Sequence, residues 1–188
     1  MGDDAAVAVH EAGHAVIALW LGVPVVSVDI VPSPVDGTVG HTVCTALPPY
    51  VREWHAAGDP RPVPDAVRDR LEHEVMIHLA GDMAQSKAMG GGQGVTVNES
   101  RFGSVVVGWD WHIGDVLDAI TQGRAERRAL IRRLAGLTWA LLEREIVWAT
   151  VCAVAAALTE QRRVDGRAVR QMALDVTARA WAARPPGG

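Results

Sequence analysis

Between residues 8 and 21 the apolar positions fall into a helical rhythm. Val9, Ala12, Val16, Leu19 and Trp20 recur three and four apart, which gathers them on one face of an α-helix. Asp3 or Asp4 offers an N-cap, and Gly22 followed by Pro24 offers a stop. The rhythm then changes. "VVSVDIV" (25–31) is dense in β-branched residues and predicts a strand, "SPVDG" a turn, and "TVGHTVCTA" (38–46) a second strand pairing with the first.

Residues 48–64, "PPYVREWHAAGDPRPVP", carry no clear period and predict a long proline-rich connection, placed to act as a lid or a substrate-facing loop. Helical spacing returns from Asp65 to Lys87, with Leu71, Val75, Ile77, Leu79 and Met83 as core candidates, and "MGGGQG" (89–94) ends it. A short strand fits "SVVVGW". Helices are expected at about 115–135, 137–161 and 166–180, the last opening after "VDG". The expected fold is a single domain over 1–181, mostly α with a small β-sheet or hairpin, and 182–188 form a flexible tail.

Composition narrows the partners. The 188 residues are 49% apolar and 21% charged, with a net charge of −4. A globular chain of this balance has no basic face for a nucleic acid. The cluster Arg127, Arg128, Arg132 and Arg133 reads as a solvated helix face. The longest apolar run, "IVWATVCAVAAAL" (146–158), is shorter than the ~20 residues that span a bilayer, so a buried helix and no membrane are expected. The acidic start "MGDDAA" lacks the basic beginning of a signal peptide. Cys44 and Cys152, without ligand-like spacing, read as small buried hydrophobes in a reducing compartment, and a cytoplasmic location follows.

The chemistry concentrates in His10-Glu11-Ala12-Gly13-His14. Residues four apart on a helix lie one above the other, so His10 and His14 can present two imidazoles to one Zn2+. Glu11 stands beside that face, where it can act as general base toward a water at the metal. Gly13, costly inside a helix, implies close approach of another backbone or of substrate.

The wider stretch "HEAGHAVIALWLGVPVVSVDIVP" resembles the peptidase domain of FtsH-type ATP-dependent zinc metalloproteases. "VGHTVCTALP" resembles that family's next strand, with His41 in place of an aromatic residue. "LAGDMAQ" (79–85) resembles a later helix, departing at Asp82 and Gln85, and "ALTEQRRVDGRAVRQM" resembles the closing segment. The first block is specific; the others gain weight from their order. A phosphate-binding loop of the G-x-x-x-x-G-K-[ST] kind is not in the sequence, so the chain is expected to be a stand-alone relative, without ATPase or membrane anchor.

The resemblance implies a third ligand, an aspartate opening a later helix, and "GDVLDAI" (114–120) places it at Asp115. Asp110, His112 and Asp118 are rivals nearby. Glu74 and His78, four apart on the middle helix, are better read as packing or supporting groups, with Glu74 or Asp82 available to orient a ligating histidine. Glu143 and Glu145 fit a solvated turn. His41 and His112 are the candidates for steadying a developing oxyanion, and Trp54, Trp109 and Trp111 for lining a substrate groove. The expected activity is metal-assisted hydrolysis of peptides or unfolded chains without ATP. A silent zinc-binding regulatory module of the same fold is the alternative, hydrolysis of a non-peptide amide a second enzymatic one, and homo-oligomerisation stays open.

Overall fold

The computed structural model describes residues 3–33, 39–58, 62–91, 106–107 and 111–183. Its first helix, α1 (Asp3–Trp20), is buried almost all round: Ala8, Ala12 and Ala15 to Ala18 are inaccessible to solvent. The expected single apolar stripe is too narrow a description, because α1 packs against two long helices and the sheet at once. Alanines make this feasible by letting neighbours approach. The helix stops as its sequence predicts. Gly22 takes φ +75°, its N–H bonds Leu19 O at 3.1 Å, and the Val23 N–H bonds Ala18 O at 2.8 Å. This pair of bonds is a Schellman cap.

The chain then enters β1 (Val25–Asp29) and β2 (His41–Cys44), which pair antiparallel as expected, with a bulge between Val25 and Ser27. The "SPVDG" turn falls largely in 34–38, outside the described residues. Within the proline-rich connection lies a helix, α2 (Pro49–Ala56), that the sequence reading missed. Pro49 starts it at a position where proline's missing N–H costs nothing, and Val51 anchors it in the core. Next comes α3 (Asp65–Ala88), one residue longer than expected. Two short strands, β3 (Val106–Val107) and β4 (Trp111–His112), pair with each other.

Where two helices were expected over 115–161 there are three: α4 (Ile113–Ile120), α5 (Arg124–Glu143) and α6 (Glu145–Gln161). The expected break at Gly136 does not occur. Gly136 is solvent-exposed inside α5, where glycine costs stability without ending a helix. The breaks fall instead at Gly123, with φ +136°, and at Arg144, whose backbone is extended. Glu126 reaches back to accept the Gln122 N–H at 2.6 Å and secures the start of α5.

A third strand, β5 (Arg163–Asp165), was also missed; it pairs with the free edge of β1, giving the sheet order β2-β1-β5. Arg162 creates it by turning out of α6 in the left-handed region at φ 66°. Its guanidinium holds that conformation by donating to Asp4 at 2.5 Å and to Ile30 O at 2.7 Å. Asp165 then caps α7 (Gly166–Ala182), accepting the Ala168 N–H at 2.7 Å. The chain is thus mostly helical, with one small three-stranded antiparallel sheet, and no helix among the described residues is long and apolar enough to cross a membrane.

The cysteines differ from expectation. Cys44 is half-buried, and its thiol is pushed up to about 12 by burial and then by Glu74, but Cys152 is exposed on α6. A thiol-modifying reagent near neutral pH should therefore react with Cys152 first and with Cys44 only on unfolding. Mass mapping after brief labelling checks this, and the reverse order would contradict the burial of Cys44.

Candidate metal centre

His10 and His14 lie on the face of α1 turned toward α3, and their Nε2 atoms stand 3.0 Å apart with the rings nearly perpendicular. The partner of His14 Nδ1 fixes what its Nε2 carries. His14 Nδ1 lies 2.6 Å from Ile77 O. A carbonyl oxygen only accepts, so Nδ1 holds the proton and Nε2 presents a lone pair. His10 Nδ1 faces the Asp82 carboxylate at 3.5 Å, which favours the same tautomer. At 3.0 Å His10 Nε2–H can donate to His14 Nε2, and with Nε2 unprotonated on both rings the pair can hold a cation between them. Tetrahedral zinc with ordinary Zn–N bonds separates two such nitrogens by about 3.3 Å. The donor set and the partners behind it, a carbonyl and a carboxylate, are those that orient zinc-binding histidines.

Two glycines make the cradle. A Cβ on Gly81 would collide with His14 Nε2 and stand 2.7 Å from His10 Nε2. A Cβ on Gly13 would stand 2.6 Å from Ala80 O, so its expected role, close approach of another backbone, is what the structure shows. Gly81 was not singled out from the sequence. Its signal was there, a glycine deep in a periodic helix, but nothing local says what it faces.

Glu11 is buried, at 6% exposure, and β2 covers it. The Thr42 hydroxyl lies 2.8 Å from Glu11 Oε2 and 3.0 Å from Glu11 O. A Cβ on Gly40 would stand 2.9 Å from Glu11 Cγ. Thr42 is a second residue that sequence reasoning missed. Strand alternation turns it inward with Val28 and Val164, the residues level with it on β1 and β5. His41, by the same alternation, shares the opposite face with Asp29 and Arg163. There it lies 3.7 Å from Asp29 Oδ1, while Arg163 bonds Asp29 Oδ2 at 3.2 Å. That geometry does not favour His41 as the oxyanion group.

His78 stacks on His14 with ring centroids 6.4 Å apart. Burial and then His14 push its pKa down to about 3, so it is a neutral wall behind the pair. Glu74 is buried in an ion pair with Arg70; burial raises its pKa and Arg70 opposes the rise. Asp118 is engaged by Arg127 at 2.6 Å. Glu143 accepts from Trp139 Nε1 at 2.9 Å. Asp115 is exposed in the first turn of α4, a helix that packs on α3. The structure therefore brings His10, His14 and Glu11 together but not Asp115: among the described residues no three His, Cys, Asp or Glu side chains group closely enough to hold a metal. Asp110 and Trp109 lie outside the described residues, as do the side chains of Trp111 and His112, and Trp54 sits on α2 rather than in a loop. No protein-family model and no curated protein matches the chain.

Gly81→Ala should abolish most zinc binding by filling the cradle, whereas Gly136→Ala, whose Cβ would meet nothing within 4 Å, should stabilise the fold by up to about 1 kcal/mol. Isothermal titration with zinc and thermal melts of both variants check this; undiminished affinity in Gly81→Ala would remove the cradle from the site.

Proposed function

We propose that this chain is a zinc-dependent metallopeptidase that hydrolyses peptides or unfolded chains without ATP. The observation that carries the reading is two histidine Nε2 atoms 3.0 Å apart over Gly81, within one turn of helix of the buried Glu11. The resemblance of the His10–His14 block to FtsH-type peptidase domains adds to this reading.

In it, zinc supplies a Lewis acid that polarises the scissile carbonyl and acidifies a water. His10 and His14 bind through Nε2, each backed at Nδ1 by Asp82 or Ile77 O. Glu11 takes the proton from the attacking water and returns it to the leaving amine. Asp115 is the proposed third ligand. The resemblance of "GDVLDAI" is what points to it, and its helix packs on α3. The outer edge of β2, unpaired among the described residues, offers main-chain groups to an extended peptide.

Purified protein should carry about one zinc per chain. Asp115→Ala should lose most of it, while Asp118→Ala should not. Glu11→Gln should keep its zinc and its melting temperature but lose about 10²–10⁴-fold in peptide turnover. Full activity in Glu11→Gln would refute the mechanism. A parent that binds zinc yet cleaves nothing in a diverse peptide library would be the silent zinc-binding module instead.

A further inference from the structure

Strand β2 does more at the site than cover it. Gly40, the residue before it, and Thr42, its inward position, both address one side chain, Glu11. The Thr42 hydroxyl stands within bonding distance of two acceptors on that residue, the main-chain oxygen at 3.0 Å and carboxylate Oε2 at 2.8 Å. It has one proton to give, and a bond to an ionised carboxylate is the stronger of the two. Gly40 closes the other side, since a Cβ there would come within 3.0 Å of Glu11 Oε1. A glutamate side chain has several rotatable bonds; here one oxygen accepts from Thr42 and the stem lies close beside Gly40. The two carboxylate oxygens are thereby made different: Oε2 accepts from Thr42, and Oε1 lies by the residue that has no side chain.

We infer that Thr42 is a positioning residue for the general base: its hydroxyl holds Glu11 Oε2 so that the other carboxylate oxygen is presented for proton transfer. This rests on the metallopeptidase reading above. Thr42 touches neither substrate nor metal and acts only through Glu11. A purely structural role, satisfying a buried carboxylate, would lower stability without touching turnover selectively.

The test uses full-length Thr42→Val, Thr42→Ser, Glu11→Gln and the double variant Thr42→Val/Glu11→Gln. Zinc content, melting temperature, kcat and KM on an unstructured peptide are measured for each. Thr42→Val should keep its zinc and KM and lose about 10- to 100-fold in kcat, the scale of a hydrogen bond to a charged group. Thr42→Ser, which restores the hydroxyl, should recover to within about threefold of the parent. The double variant should be no slower than Glu11→Gln alone, because Thr42 has nothing left to position. A second readout needs no turnover: melting temperatures of the same four proteins in excess chelator. There Thr42→Val should cost less in the Glu11→Gln background than in the parent.

Unchanged kcat in a zinc-replete Thr42→Val, or losses that multiply in the double variant, would overturn the inference. If Thr42→Val fails to fold, Thr42→Ala takes its place under the same criteria. A parent inactive on peptides would overturn the metallopeptidase reading instead, and equal melting-temperature losses in both backgrounds would then also show that Thr42 does not hold Glu11.

Discussion

Where Gly13 meets Ala80, α1 and α3 run so close that a single methyl group on the glycine would clash with main chain. One position along α3, Gly81 repeats the condition from the other side, with the two imidazoles filling the space its missing side chain leaves. A glycine on each helix therefore sets the distance between them, and that distance lets His14 Nδ1 reach a carbonyl of the neighbouring helix. Each glycine costs its helix about 1 kcal/mol relative to alanine. The buried side chains of α1 and α3, Ile17, Val16, Leu71, Val75 and Ile77 among them, offset that cost, since each full burial contributes about 1.5–3 kcal/mol.

The sheet applies a second constraint at right angles to the first. Strand side chains alternate, so the register of β2 on β1 decides which residue meets Glu11. With Val28 opposite Thr42 and Asp29 opposite His41, a hydroxyl faces the carboxylate and an imidazole faces outward. A slip of one residue would exchange them. The His41–Asp29 pair spans β2 and β1, and β1 is itself fixed from its other edge. Val28 and Val164 are buried on the inner face, and Asp29 is held on the outer face by Arg163. Arg162, far away in sequence, fastens Ile30 through both its side chain and its main chain. The strand that the sequence concealed thus holds β1, on which β2 is registered.

Elements that announce themselves by period and punctuation were legible. The span of α3, the end of α1 at Gly22, the β1–β2 pairing and the start of α7 after Asp165 all follow from local sequence. Elements defined by what they pack against were not. Three residues at Arg163 carry too little pattern to show a strand, and only the open edge of β1 makes them one. Pro49 conceals α2 by looking like a loop residue, and Gly136 suggests a break that exposed α5 does not need. At the site the histidine spacing was local and readable, and so was the glutamate between them. Thr42 and Gly81 come from other elements, and their roles exist only in the contacts they make.

The two histidines are not equivalent, and the difference gives the site a direction. His14 is anchored to a main-chain oxygen in the interior and backed by a neutral imidazole, so its ring has little freedom. His10 faces Asp82, whose side chain is 47% exposed, across 3.5 Å. Water competes for such a pair, and its attraction is worth little. What seats His10 is therefore the shape around it, the Gly81 gap and the edge of the His14 ring, more than its carboxylate. One wall of the site is rigid and buried while the other opens to solvent at the turn of α3 that carries Asp82. The His10 side of the pair, toward Asp82, is the more exposed one, while Glu11 is held beneath β2.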